Sequence, residues 1–96
     1  MTGKQRAYLR SLANGLQSKY QFGKNDLNDN FIRQIDAALE ANELIKISVL
    51  ETSPMTPREL SDRLCELTGA EGVQTIGSKI VLYRRSKESP VIVIPK

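Results

Sequence analysis

The 96-residue chain has no histidine, no tryptophan and one cysteine, Cys65. Each shortage excludes a class of function. Without histidine the commonest general base and metal ligand is missing. A single cysteine permits neither an internal disulfide nor a Cys/His cluster at metal-binding spacing. No GxxxxGK[ST] phosphate loop and no GxSxG nucleophile elbow occurs. No apolar run approaches a membrane span or a secretory leader, the longest near the end being the VIVI of 91–94. Cys65 falls in an apolar helical pattern and reads as a core filler. Asp62 and Glu66, at helical spacing, read as a solvated helix face rather than a catalytic pair. The expectation is a non-enzyme with no cofactor, metal or small-molecule substrate, acting as a cytoplasmic monomer.

What is present is charge, distributed unevenly. Lys and Arg number 14 against 11 Asp and Glu, a net +3. Residues 1–24 hold five basic side chains, Lys4, Arg6, Arg10, Lys19 and Lys24, and no acid. Residues 79–96 hold another five, Lys79, Arg84, Arg85, Lys87 and Lys96, against Glu88 alone. The middle has four basic and ten acidic residues. If the two ends meet in space, one face of the molecule is basic and suited to a polyanion. Arg6 and Arg10 sit one helical turn apart, a like-charge pair that costs an isolated helix about 0.2–0.5 kcal/mol.

Hydrophobic periodicity and end signals predict seven elements. A first helix spans 4–17, with Thr2 as cap and Gln5, Leu9, Leu12, Ala13 and Leu16 on its buried stripe. "KYQFG" is a short strand. Asn28 caps a second helix reaching about Glu43, with Leu27 able to staple onto Ile32 and a stripe through Phe31, Ile32, Ile35, Ala38 and Leu39. Residues 44–50 form a strand with Ile45, Ile47 and Val49 on one side. Thr56, Pro57 and Glu59 make a capping box for a third helix; Leu60, Leu64 and Leu67 are its apolar stripe and Gly69 its stop. "GVQTIGSKIVLYRR" reads as a hairpin about Gly77-Ser78. The tail 87–96 is either an edge strand or a loose extension. The order α-β-α-β-α-β-β predicts an α/β (α+β) domain over 1–96, core about 2–86, with a four-stranded mixed sheet packed by helices.

Three stretches in order, "TGKQRAYLRSLA", "QFGKNDLNDNFIRQIDAALEANELIKISVL" and "VQTIGSKIVLYR", resemble the YhbY/YqeI-like bacterial proteins, stand-alone CRM domains. The resemblance covers nearly the whole chain. It implies an RNA-binding protein associated with precursors of the large ribosomal subunit, and a fold similar to the C-terminal domain of bacterial translation initiation factor three. The family turn after the first strand is a GxxG loop, usually Gly-Lys-Gly-Gly, comparable to the KH loop that clamps nucleotide backbones. Gly23 and Lys24 match its first half. Asn25 and Asp26 replace the two glycines: asparagine tolerates a left-handed backbone, whereas Asp26 brings a negative charge to where a phosphate would approach. By position, Lys4, Arg6 and Arg10 match the basic first helix of the family and Arg84 the basic end of "VLYR". With Lys19, Gly23, Lys24, Asn25, Lys79 and Arg85 they form the expected RNA-binding set.

Phe22 and Phe31 are expected in the core and Tyr8, Tyr20 and Tyr83 half exposed, so backbone and shape recognition of ribosomal RNA is expected over base reading. An alternative partner is a basic ribosomal protein docked on Asp29, Asp36, Glu40 and Glu43. A helix-turn-helix reading is disfavoured because the basic residues lie at the chain ends.

Overall fold

The computed structural model describes residues 1–24 and 27–94. Its elements follow in the predicted order: α1 (Gly3–Ala13), β1 (Tyr20–Phe22), α2 (Asp29–Asn42), β2 (Leu44–Val49), α3 (Pro57–Thr68), β3 (Glu71–Ile76) and β4 (Lys79–Tyr83). The four strands form one sheet in the order β1-β2-β4-β3. β1 and β2 run parallel around α2, while β4 lies antiparallel to both neighbours. The hairpin strand β4 is thus inserted between β2 and β3.

End signals set the helices. Thr2 and Gln5 complete a capping box on α1, Asn28 Oδ1 accepts from Phe31 N at 2.9 Å, and Thr56 with Glu59 completes a box on α3. The Glu59 carboxyl is held below its ordinary value by the backbone and hydroxyl of Thr56. Gly69 ends α3 at φ 76. Gly77 takes φ 55, which a tight two-residue hairpin loop requires and which glycine adopts without steric cost.

Strand alternation divides the apolar residues between two faces. Phe22, Ile45, Ile47, Val49, Ile80 and Leu82 meet Ile35, Leu39, Leu60 and Leu64 beneath α2 and α3. Phe31 packs tilted on Phe22 with ring centroids 5.1 Å apart. On the other face Leu44, Val73, Val81 and Tyr83 meet Leu9 and Ala13 of α1. Three expectations change here. α1 stops at Ala13, and Leu12 and Leu16 are more than one-third exposed. Leu67 is also exposed, because α3 turns only Leu60 and Leu64 fully inward.

As far as Ile94 the tail is neither strand nor loose. Ile92 and Ile94 pack on the α1 cluster while Val91 and Val93 point to solvent. Two carboxylates hold it. Glu43, fully buried, accepts from Ser86 N at 2.8 Å, Val91 N at 2.7 Å and Ile92 N at 2.8 Å. Glu40 accepts from the Ser86 hydroxyl at 2.6 Å and from the amides of Lys87 and Glu88. Glu43 caps α2 at φ 66, a left-handed conformation that costs a non-glycine residue about 1–3 kcal/mol unless its surroundings enforce it. Its N–H to the Leu39 carbonyl at 2.8 Å and its three carboxylate bonds supply that enforcement.

Candidate nucleic-acid interface

The sheet separates the charges. The α2/α3 layer carries Asp29, Asp36, Glu40, Glu59, Asp62 and Glu66. Its arginines are engaged locally: Arg58 lies 3.6 Å from Asp62, Arg63 3.1 Å from Glu66, and Arg33 donates to Asn30 at 3.0 Å. The opposite face holds α1, which has no acid and presents Lys4 and Arg10 to solvent, with Arg6 half-buried. Arg6 Nε donates to the Gly72 carbonyl at 3.3 Å, fixing that side chain against β3.

Register brings strand residues to the same face. Lys46 lies opposite Val81, and Ser48 opposite both Gln21 and Lys79. Val81 belongs to the cluster under α1, so Gln21, Lys46, Ser48 and Lys79 share its side of the sheet. Lys79 Nζ donates to Ser48 Oγ at 2.6 Å, which steadies the ammonium on the sheet. The register also places one acid there, Glu71, opposite Tyr83. Lys46 was absent from the sequence-derived set although its signal was available: with Ile45, Ile47 and Val49 facing one way, Lys46 must face the other.

Exposed lysines flank β1. Lys19 precedes it and Lys24 follows Gly23. Gly23 does not take a left-handed φ; its small size matters because an added Cβ would lie 3.2 Å from Leu50 Cδ1 and 3.7 Å from Thr52 Oγ1. Asn25 lies outside the described residues, as does Asp26.

Arg84 is placed differently from expectation. Its side chain is 14 % exposed, paired with Asp36 on α2 and 3.8 Å from Glu40, and Nη1 also donates to the Thr68 carbonyl at 2.7 Å. Its guanidinium locks β4 to α2 and α3, on the far side of the sheet from α1. Arg85 is exposed beside the tail, near Tyr83 and Ile92. The acidic docking face is partly committed within the fold. Glu40 and Glu43 hold the tail and Asp36 pairs with Arg84, while Asp29 and Asp36 stay exposed. Burial pushes the Glu43 carboxyl up, but the N–H donors of Ile92, Ser86 and Val91 outweigh it and leave the group below its ordinary value. The Ser86 hydroxyl and the Lys87 amide lower Glu40 in the same way. Burial raises the Cys65 thiol above its ordinary 9.0, which keeps it protonated at neutral pH.

The CRS1 / YhbY (CRM) domain model matches residues 1–84. The chain belongs to this family. Across 95 residues, 99% of both chains, this CRM domain is 46% identical to the Bacillus subtilis (strain 168) protein named "Probable RNA-binding protein YqeI". It is 34% identical over 91 residues to a Haemophilus influenzae protein named "RNA-binding protein", covering 95% of this chain and 92% of that one. The solution structure of SAV1595 from Staphylococcus aureus superposes with a TM-score of 0.81 at 49% identity, covering 99% of each chain. No helix among the described residues is long and apolar enough to cross a membrane.

Proposed function

We propose that this CRM domain binds structured RNA through the α1 side of its sheet and assists assembly of the large ribosomal subunit without catalysis. The observation that carries this reading is the sorting of charge across the sheet. Lys4, Arg6, Arg10, Lys46 and Lys79 share one side, while six acids stand on the α2/α3 layer behind it. The role in assembly comes from the family resemblance; the RNA partner is also supported by the names of the relatives. Phosphates dock against the arginines and lysines, and Gly23-Lys24 and Lys19 extend the contact along the β1 edge.

The test is affinity for folded large-subunit rRNA fragments across a salt series. Arg6→Ala/Arg10→Ala and Lys46→Ala/Lys79→Ala are compared with the unaltered protein. Each lost phosphate contact lowers the slope of log affinity against log salt by about 1. Slopes shallower by about 2 in each double variant are expected. No binding at low salt, or three identical slopes, would overturn the reading.

A further inference from the structure

β1 is three residues long and pairs with β2 only from Ile47 onward. The edge of β2 at Leu44, Ile45 and Lys46 consequently has no β1 partner. A cavity of about 330 Å³ opens there between the strand edge, the end of the α1 segment and the tail. That volume lies at the lower end of the roughly 300–1,000 Å³ of small-molecule sites, suited to one nucleotide rather than a length of strand.

Its walls divide by chemistry. Leu12, Leu16 and Ile92 supply apolar surface on the α1 side, and Tyr20 borders the cavity at the start of β1 with its side chain packed toward the α2/α3 core. Gln17 and Asn42 bring side-chain amides; the Asn42 nitrogen is tied to the Ala38 carbonyl at 3.1 Å, which leaves its oxygen as an acceptor. Lys19 and Lys46 are the charged members of the lining, and no acid joins them. A nucleotide presents the matching sequence of groups: an apolar π face, a polar base edge and a phosphate. Leu12 and Leu16 are each more than one-third exposed, so the apolar wall is open to a ligand. Lys46 joins this cavity to the basic sheet face.

We propose that the cavity receives a single unpaired nucleotide of the bound RNA, with its base against Leu12 and Leu16 and its phosphate at Lys19 and Lys46. This rests on the RNA-binding reading above. It predicts that the protein prefers RNA with an unstacked base over a uniform duplex.

The experiment compares a fully paired RNA hairpin, its loop replaced by a non-nucleotide linker, with the same hairpin carrying a one-nucleotide bulge, using the full chain and a Leu16→Asn/Gln17→Ala variant. Both positions lie outside the helices and strands, and equal thermal melting of the two proteins establishes that the fold is kept. The expected result is tighter binding of the bulged RNA by about tenfold, lost in the variant with no change in salt slope. Adenosine and uridine monophosphates, titrated against isotope-labelled protein, should shift the amides of Leu16, Tyr20 and Lys46. Equal binding of both hairpins by the unaltered protein, with monophosphates leaving those amides unmoved, overturns the pocket while the RNA face stands. Absence of binding to either hairpin overturns both. Occupation of the same amides by an acidic leucine-containing peptide, and not by nucleotides, overturns the proposal in favour of a protein partner.

Discussion

Replacing Glu43 by glutamine keeps the side chain's length and removes its charge. The carboxylate takes three N–H donors from Ser86, Val91 and Ile92. An amide can accept on one side only and turns a donor toward the remaining N–H. The expected loss is about 1–3 kcal/mol in urea unfolding. The same residue predicts the acid limb of stability. Glu40 and Glu43 titrate below their ordinary 4.5 in the folded protein. Their contribution is therefore complete above pH 4.5 and is lost as pH falls through the lower folded values. Glu43→Gln should be less stable than the unaltered protein at pH 7 and show a weaker fall in stability below pH 4.5. Parallel unfolding curves measured from pH 7 to pH 3 check this; an unchanged acid limb would show that Glu43 does not govern it.

At the scale of elements, Arg84 and Arg10 look alike in sequence and differ in what they join. Arg84 ties the end of β4 to Asp36 on α2 and to the end of α3, whereas Arg10 stands exposed on α1. Arg84→Ala should cost about 2 kcal/mol through lost charged hydrogen bonds, visible as a lower melting temperature. Arg10→Ala should leave melting unchanged and weaken RNA binding. Caps and stops were readable because Thr2, Asn28, Thr56 and Gly69 act within three or four residues of their partners. Strand faces were readable from alternation in "LIKISVL". The exposure of Leu12, Leu16 and Leu67 was not, because a periodic stripe says which side of a helix is apolar and not how far its neighbours extend. Nor was the tie of the tail, whose acceptor and donor, Glu43 and Ile92, are 49 residues apart. The pairing of Arg84 was hidden for the same reason: Asp36, its partner, is 48 residues away.

For the molecule as a whole, net charge and its placement make separate predictions. Asp29→Asn/Glu66→Gln raises the formal charge from +3 by two, on the α2/α3 side. If placement governs, RNA affinity at moderate salt should change by less than about threefold, because those sites lie across the sheet and exposed charges are screened beyond about 8–10 Å. A change as large as that of Lys46→Ala/Lys79→Ala, in a filter-binding or anisotropy titration, would instead make net charge the controlling quantity. The topology has a consequence of another kind. β4 fills the gap between β2 and β3, and α1 rests on β2, β3 and β4 together. During synthesis the surface that α1 packs against is incomplete until residue 83 has left the exit tunnel. The basic surface therefore matures last, although most of its residues are made first, and nascent chains short of that point hold their cationic segment without the framework that shapes it.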